Sequence, residues 1–337
     1  MGPFELIYYI GYKVKKLYDK GRQRRLTSTV ISIGNITVGG TGKTPLVMAT
    51  AREAFKKGLN PCILTRGYKG SLNLPSFVSK GFGALLTEKE AGDEPVLMAE
   101  KLSMVPIVKA KDRYEGGIFA IEELKPIAPF LFILDDGFQH FRLHRDKDIL
   151  LINALNPFGN GKLLPIGTLR EPLRQIKRAD VLVITNSPDS HGKEMENLVL
   201  EIRKYNPYCP LFFGRHIPAY VKEASNREFP IDMLYGKNIY AFCAIGEPES
   251  FLNTLNFMGV NLKGFRQYRD HYRFKGRDIK AIQREAERCG SEWIITTEKD
   301  IIRLKDIGLP DNLVTLGIEF KIDNGFYDEV FKGLMPV

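Results

Sequence analysis

The sequence predicts an α/β fold, with a P-loop in a doubly wound, mostly parallel sheet (α/β/α) and a second, smaller α/β domain. Short apolar runs of strand length alternate with segments of helical periodicity along most of the chain. Such alternation is typical of parallel sheets covered by helices. The run at residues 29–35 stops at a glycine-rich stretch, and a helical pattern follows directly. A strand, a glycine loop and a helix in that order indicate a phosphate-binding site.

Length and composition narrow the class of protein. The chain has 337 residues, which favours about two domains, and a formal net charge of +9. This surplus indicates an anionic partner, but it does not choose among nucleic acid, a phosphorylated metabolite and a lipid headgroup. No C-x-x-C pair or run of 18 apolar residues occurs, so we expect neither a zinc or disulfide framework nor a membrane span.

The first 25 residues form a predicted amphipathic helix and basic arm. They hold seven basic and two acidic side chains, so more than half of the net charge lies there. Lys13, Lys16 and Lys20 fall on one side of this helix. The apolar residues at helical spacing form a stripe on the opposite side, which consists of Phe4, Ile7, Ile10, Val14, Leu17 and Tyr18. A basic amphipathic helix of this kind is typical of an anionic membrane surface. The alternative is a helix that packs on its own domain with lysines in solvent.

Residues 26–215 are predicted to form the nucleotide-binding domain. The helix that follows the glycine-rich stretch is expected to end near Lys57, and residues 69–92 are expected to be loop. Two further helices are expected at 94–101 and 114–124. Six further strands are expected at 61–65, 105–109, 129–134, 148–152, 180–185 and 210–214.

A linker over 216–236 and a smaller domain over 237–337 complete the prediction. The pattern near 215–236 loosens into a stretch that contains Pro, Lys and Glu. A second alternation follows, with strands expected at 238–243, 260–265, 293–296 and 313–316, and helices near 248–258 and 278–289.

The glycine-rich stretch carries the residues of a phosphate loop. Glycines allow successive N–H groups to turn around a phosphate chain, a lysine reaches the β- and γ-phosphates, and a threonine hydroxyl serves Mg²⁺. Thr37 stands where the strict pattern has its first glycine, so the match is partial. The predicted nucleotide-binding residues are Gly39, Gly40, Thr41, Gly42, Lys43 and Thr44.

A second signal is Asp135-Asp136-Gly137, directly after an apolar strand. Carboxylates at the carboxyl end of a strand in an open α/β sheet are placed to hold Mg²⁺. The alternative is a turn, where Asp before Gly is common. His140 follows closely enough to contact the same site, although a single histidine is more often structural.

Four further positions are candidates on weaker grounds. Asp93 lies at a predicted helix start, where it is either a cap or the base that a hydroxyl kinase needs. Arg113 and Arg170 are candidate phosphate clamps, although each alone is more often a surface ion pair. His271 follows a strand of the smaller domain, from which a loop could close over the larger one.

Taken together, these motifs resemble those of the tetraacyldisaccharide 4′-kinase family. The resemblance covers nearly the whole chain in order, and its most specific parts are the Gly-Asn-x-Thr-Val-Gly-Gly loop and the Asp-Asp-Gly-Phe-Gln-His run. Thr37 is normal in that setting. The matching residues are 32–45, 65–68, 91–95, 112–114, 134–140, 169–173, 270–271 and 296–300.

The resemblance implies transfer of the ATP γ-phosphate to the 4′-hydroxyl of a tetraacylated glucosamine disaccharide 1-phosphate, which forms lipid IVA in lipid A biosynthesis. It implies a peripheral protein at the cytoplasmic face of the inner membrane, with ATP and Mg²⁺ as cofactors and with no nucleic acid as a partner. It implies four catalytic residues: Asp93 as base, assisted by His271, with Lys43 and Asp135. Thr44, Asp135 and Asp136 are then metal ligands, and Arg113, His140, Arg170 and Glu171 substrate contacts.

Two other functions remain open at this point. A P-loop GTPase would need a base-specific Asn/Thr-Lys-x-Asp motif, and Thr297-Glu-Lys-Asp300 is a near miss. A non-enzymatic adaptor that binds nucleotide and recruits partners to anionic membranes also fits the charge. Turnover of a lipid disaccharide acceptor separates the three.

Overall fold

The structure is a computed structural model that describes residues 2–187, 192–225, 227–304 and 307–334. It divides into two compact units. The larger unit comprises the chain up to Arg215 together with the residues from Ile322 onward, and the smaller unit comprises His216–Lys321.

The larger unit is built on a sheet whose strand order is β8-β7-β6-β1-β5-β2-β4-β3. All its pairings are parallel except β3 with β4, which is antiparallel. The P-loop α/β class expected from the sequence is therefore confirmed. The strands are β1 Thr29–Asn35, β2 Pro61–Thr65, β3 Ser76–Lys80, β4 Pro106–Lys109, β5 Leu131–Asp135, β6 Lys147–Asn153, β7 Val181–Thr185 and β8 Leu211–Glu223.

Helices cover this sheet because its central strands are apolar on both faces. Buried side chains form one cluster around Ile152 and Ile184 and another around Leu64 and Phe132. Strands buried on both faces read as continuous apolar runs, which is why they were recognised in the sequence. The helices are α1 Pro3–Gly21, α2 Lys43–Lys56, α3 Glu88–Ala91, α4 Asp93–Lys101, α5 Arg113–Leu124 and α6 Lys193–Arg203, with a 3₁₀ helix at Leu173–Arg178.

In the smaller unit, strands β11, β10, β12 and β13 pair in parallel. Its strands are β9 Glu228–Phe229, β10 Asn238–Cys243, β11 Asn261–Gln267, β12 Trp293–Thr297 and β13 Leu313–Ile322, and its helices are α7 Pro248–Phe257, α8 Gly276–Arg288 and α9 Glu298–Ile302. The stretch Thr297-Glu-Lys-Asp300, which is close to a GTPase base-recognition motif, lies in this unit. Thr297 caps α9, because its hydroxyl accepts a hydrogen bond from the Asp300 N–H at 3.2 Å.

Two predictions of organisation differ from the structure. Residues 69–92 contain β3 and α3 rather than loop alone. The predicted linker over 216–236 contains the end of β8, strand β9 and a 3₁₀ turn at Ile231–Leu234. Most positions of β8 are half-buried, so this strand does not require a continuous apolar run and its periodicity is a weak signal.

The chain end also differs from the prediction, because it belongs to the larger unit. Helix α10, Phe326–Phe331, buries Phe326, Val330 and Phe331. Its Phe326 ring meets Phe212 edge-on, with ring centres 5.5 Å apart. The sequence pattern placed residues 237–337 in one domain because nothing in it marks where the chain returns.

Candidate active site

The phosphate loop lies between β1 and α2, at the carboxyl edge of the larger sheet. Gly39 and Gly42 have φ values of 114° and 75°, which side chains other than glycine rarely adopt. The Thr41 carbonyl accepts a hydrogen bond from the Thr185 hydroxyl at 3.1 Å, which fixes the loop to β7. Helix α2 begins at Lys43, so its N-terminal N–H groups lie at the loop, where they favour an anion.

Lys43 points across the ends of two neighbouring strands. Its Nζ donates to Asn35 Oδ1 at 3.3 Å, and it lies 3.6 Å from Asp136 Oδ1. The phosphate loop and the acidic pair therefore meet at one edge of the sheet. That meeting follows from topology, because β1 pairs with β5 in a register that sets Ile33 opposite Asp135.

Asp135 is a buried carboxylate with too few hydrogen bonds. Its Oδ2 accepts from the Thr65 hydroxyl at 2.9 Å, whereas its buried Oδ1 has no hydrogen-bond partner among the described residues. Burial, with the neighbouring charges of Glu94 and Asp136, raises the pKa of Asp135 to about 7. Negative charge at this point therefore lacks compensation by the protein.

These residues fit a magnesium ion brought in with a nucleotide. Carboxylate and hydroxyl oxygens are the ligands that Mg²⁺ prefers, and Mg²⁺ commonly uses one or two carboxylates plus substrate phosphates. The Thr44 hydroxyl donates to Glu94 at 3.3 Å, and the charge of Glu94 is among those that raise the pKa of Asp135. Within the described ranges, no three His, Cys, Asp or Glu side chains form a metal cage, as expected if phosphates complete the coordination.

Asp136 is held by cations rather than left open. Arg170 Nη1 lies 3.0 and 2.9 Å from its two carboxylate oxygens, and Lys43 lies on the same side. These cations, with Arg113, hold the pKa of Asp136 well below its usual range in spite of burial. Asp136 has φ = 51°, an uncommon conformation for a residue other than glycine.

Close backbone packing explains one glycine that the phosphate-loop pattern does not use. A Cβ at Gly34, in β1, would lie 2.7 Å from both the backbone nitrogen and the Cβ of Phe138. Gly34 thus allows the turn after Asp136 to lie directly against β1. Its role could not be read from the sequence, because it depends on contact between two distant segments.

Arg113 and His140 lie together beside the acidic pair. Arg113 is buried at the start of α5, and its backbone N–H donates to His140 Nε2 at 3.4 Å. Burial and the surrounding cations Arg113 and Arg145 lower the pKa of His140, so the ring is neutral at pH 7. Burial also lowers the pKa of Arg113 to about 10, although Asp136 and Asp135 act in the opposite direction.

Glu171 is fully buried, and protein groups occupy its carboxylate. It accepts hydrogen bonds from the Tyr12 hydroxyl at 2.7 Å, from Gln139 Nε2 at 2.7 Å and from Arg178 Nη2 at 3.0 Å. These donors come from α1, the turn after β5 and the 3₁₀ helix. Glu171 therefore joins these three segments, and its predicted contact with a substrate stays a prediction.

Asp93 is the first residue of α4, and it is buried. Its Oδ1 accepts from the Glu94 N–H at 3.0 Å, and Glu94 in turn contacts Thr44, so α4 begins beside the phosphate loop. Gly92 before it has φ = 95°, and a Cβ there would lie 2.6 Å from the Tyr68 carbonyl oxygen.

His271 belongs to the smaller unit. Its Nε2 lies 3.6 Å from Asp270 Oδ2, and Lys299 lies 3.7 Å from Asp270 Oδ1. The His271 backbone has φ = 60° and its N–H donates to the Ala244 carbonyl at the end of β10. The sequence placed His271 after a strand of the second sheet, and the structure has it in the loop after β11.

The fold and the site define a class of protein. A parallel sheet with a phosphate loop after β1 and a buried acid at the end of the adjacent β5 is the arrangement of P-loop nucleotide-binding proteins. Comparison with known proteins gives a narrower assignment.

The family model for tetraacyldisaccharide-1-P 4′-kinase matches residues 1–335. The tetraacyldisaccharide 4′-kinase of Syntrophus aciditrophicus is 38% identical, with 96% of this chain and 89% of that protein covered. That of Syntrophobacter fumaroxidans is 34% identical over 97% and 86% of the two chains. Among solved structures, LpxK from Aquifex aeolicus in complex with ATP has a TM-score of 0.74 and 34% identity, covering 98% of this chain and 97% of that one.

The chain belongs to the tetraacyldisaccharide-1-P 4′-kinase family. The family expected from the sequence motifs is confirmed, and so is the expectation of a kinase.

Proposed function

We propose that this protein transfers the γ-phosphate of ATP to the 4′-hydroxyl of a tetraacylated glucosamine disaccharide 1-phosphate, the step of lipid A biosynthesis that forms lipid IVA. The acceptor oxygen bonds to the γ-phosphorus as the bond to the β-phosphate oxygen breaks, and ADP leaves. The observation that carries the proposal is the meeting of Lys43, Asp135, Asp136 and the start of α4 at one edge of the sheet.

Lys43 and Arg170 supply positive charge where the transferring phosphoryl group gathers negative charge. Both cations converge on Asp136, which holds them in place before nucleotide arrives. Preorganised charge of this kind stabilises a transition state without further rearrangement. Backbone N–H groups of residues 39–44 surround the phosphates in this scheme.

A magnesium ion bound with ATP would reduce the negative charge of the phosphates. Thr44 and Asp135 would hold it, because Glu94 accepts a hydrogen bond from the Thr44 hydroxyl and its charge also acts on Asp135, whose buried Oδ1 has no hydrogen-bond partner among the described residues. The carboxylate of Asp136, the next residue in the chain, pairs with Lys43 and Arg170. In this scheme Asp136 holds these two cations in place, and it is the alternative ligand for the metal.

Asp93 is the base in this scheme. Its neighbour Glu94 contacts Thr44 of the phosphate loop, so Asp93 lies beside that loop. This places a carboxylate where the acceptor hydroxyl must approach the γ-phosphate. The proton of the 4′-hydroxyl passes to Asp93, and His271 from the smaller unit assists it. Arg113 and His140 contact the acceptor, and Glu171 acts by fixing the segment that carries Arg170.

Helix α1 is proposed to place the protein on the cytoplasmic face of the inner membrane. The apolar stripe predicted from the sequence is solvent-exposed, and its side chains are between 53% exposed at Ile10 and 72% exposed at Leu17. The side of α1 that packs on the protein instead carries Glu5, Tyr8 and Tyr12. In the described part of the chain, no helix has both the length and the apolar character needed to cross a bilayer.

The direct test supplies γ-labelled ATP, Mg²⁺ and the tetraacyl disaccharide 1-phosphate, and follows label into the lipid. Wild type is expected to transfer label, and Asp93→Asn is expected to lower kcat by at least about a hundredfold with little change in ATP affinity. Glu100→Gln, which removes one negative charge from an exposed position of the same helix, is the matched control. Asp93→Asn that keeps most of its kcat, or that loses ATP binding in step with activity, would place the base elsewhere.

A further inference from the structure

A cavity of about 330 Å³ lies between α1 and the 3₁₀ helix Leu173–Arg178. Its charged lining comes from Lys13, Lys16, Lys20 and Arg174, and the rings of Tyr9 and Tyr12 face it. None of the phosphate-loop residues lines it. The cavity is therefore separate from the site described above, although it belongs to the same unit.

The four cations lack acidic partners. None of the residues that line the cavity is a carboxylate, and within the described ranges none of the four forms an ion pair. Lys16 Nζ donates to the neutral Gln175 Oε1 at 2.5 Å. Burial, Arg178 and further cations lower the pKa of Lys16 to about 8, although nearby Glu171 opposes this shift. A bound anion would supply the charge that the protein does not.

The aromatic rings narrow the kind of anion. Lys13 Nζ lies 5.0 Å from the centre of the Tyr9 ring, and the Arg174 guanidinium lies 5.4 Å from the same ring. Lys16 Nζ lies 5.6 Å from the Tyr12 ring centre. Cations held over ring faces leave apolar surface beside concentrated positive charge. That combination fits a phosphate attached to a sugar ring better than a free ion.

We infer that this cavity binds the anomeric phosphate of the disaccharide acceptor, at the end opposite the hydroxyl that is phosphorylated. The inference rests on the proposed function. A phosphate monoester carries about 1.5 to 2 negative charges at pH 7, so it matches four cations better than the single charge of a phospholipid diester.

The position of the cavity agrees with a two-sugar acceptor. One segment joins the two sites, since Arg170 pairs with Asp136 and Arg174 lines the cavity. Four residues of extended chain span at most roughly 14 Å, so the two arginine Cα atoms are no farther apart. Tyr12, beside the cavity, also bonds to Glu171, the residue next to Arg170. A disaccharide with a phosphate at one end can reach both places.

The test compares two acceptors in neutral detergent micelles, one with the anomeric phosphate and one with a hydroxyl in its place. Lys16→Gln and Arg174→Gln are each expected to raise KM for the phosphorylated acceptor by about tenfold or more, the loss expected when a charged hydrogen bond is removed. KM for the acceptor without phosphate and KM for ATP are expected to stay at the wild-type value. If the acceptor without phosphate is turned over too slowly, its inhibition constant replaces KM.

Lys15→Gln is the matched control, because it removes the same charge from the same helix while Lys15 lies outside the cavity and pairs with Asp19. Equal losses with both acceptors, or an equal loss in Lys15→Gln, would overturn the inference. An effect seen only on vesicles of anionic phospholipid would assign the cavity to lipid headgroups instead. Wild type that transfers no label refutes the proposed function, whereas normal transfer with unaffected variants refutes only the cavity.

Discussion

Two fully or nearly buried carboxylates, Asp135 and Glu171, show how the surroundings of a single residue decide its role. Three donors surround Glu171, including Arg178, so its charge is compensated within the protein. Asp135 has one hydroxyl donor and two acidic neighbours, Glu94 and Asp136. A carboxylate of the first kind holds segments together. One of the second kind is stabilised when a cation arrives, as a nucleotide-bound metal would do.

The raised pKa of Asp135 predicts a dependence of stability on pH. Between pH 4 and 7 the folded protein keeps a proton on Asp135 that the unfolded chain has released, so stability from this group falls as pH rises through that window. Without nucleotide and Mg²⁺, we expect Asp135→Asn to raise Tm at pH 8 by a few degrees and to change it little at pH 4. Differential scanning calorimetry at both pH values measures this effect.

Asp328→Asn is the control for that measurement, because Asp328 is an exposed acid in the same unit. Its effect on Tm is expected to be small and equal at the two pH values. The same Asp135→Asn variant is expected to lose phosphoryl transfer. A gain in Tm that is as large at pH 4 as at pH 8 would show that Asp135 is not the titrating group.

Among the elements, β3 is informative because it is one of the strands that the sequence did not predict. Strand β3 contains only Phe77 and Val78 as apolar residues, and it lies at the edge of the sheet, paired on one side with β4. Its pairing is set by β4 rather than by its own periodicity. Strands such as β1 and β5 were predictable because burial on both faces requires a continuous apolar run.

Helix α1 was predictable in its periodicity but not in its orientation. Its amphipathic pattern is visible in the sequence, but that pattern leaves open whether the apolar stripe faces the protein or a membrane. In the structure the stripe is exposed, while the polar Glu5 is buried and accepts from the Leu163 N–H at 3.0 Å. The orientation depends on polar partners far along the chain, which no local pattern contains.

The exposed stripe predicts membrane association that depends on apolar contact. Ile7 and Val14 are 68% and 62% exposed, and burying an apolar side chain of this size contributes about 1.5–3 kcal/mol. Ile7→Ser combined with Val14→Ser is therefore expected to weaken binding to anionic vesicles by at least about tenfold. Vesicle sedimentation at several salt concentrations measures the change.

Leu200→Ser combined with Phe257→Ser makes the same kind of change at exposed positions outside α1. This control is expected to bind vesicles like wild type. Neither Ile7 nor Val14 lines the cationic cavity, so kcat and KM in neutral micelles are expected to stay unchanged. Vesicle binding that is equal in the two double variants would leave α1 without a role at the membrane.

For the whole molecule, the sequence located the chemistry better than the organisation of the chain. The phosphate loop and Asp135 were recognisable because each lies within a few residues of an apolar strand. Three features were not predictable, because they depend on segments that are distant in sequence: the burial of Glu171, the cavity beside α1, and the return of the C-terminal segment to the larger unit.

Because residues from Ile322 onward pack in the larger unit, we expect the end of the chain to stabilise this nucleotide-binding unit. Asp323 Oδ2 accepts from the Phe213 N–H at 2.8 Å, and Lys147 Nζ donates to the Glu329 carbonyl at 2.6 Å. Phe331 is 1% exposed, so Phe331→Ala is expected to lower the free energy of unfolding by about 3–5 kcal/mol. Tyr208→Ala, at a position 93% exposed in the same unit, is expected to change it little.

The chain offers a way to assign that loss to one unit. Its single tryptophan, Trp293, lies in the smaller unit, so tryptophan fluorescence reports on that unit, whereas ATP binding reports on the phosphate loop in the larger one. In a urea titration of Phe331→Ala, loss of ATP binding is expected to shift to lower urea by more than the fluorescence transition does. Equal shifts would mean that the two units unfold together. A wild-type midpoint for ATP binding would show that the C-terminal segment does not support the larger unit.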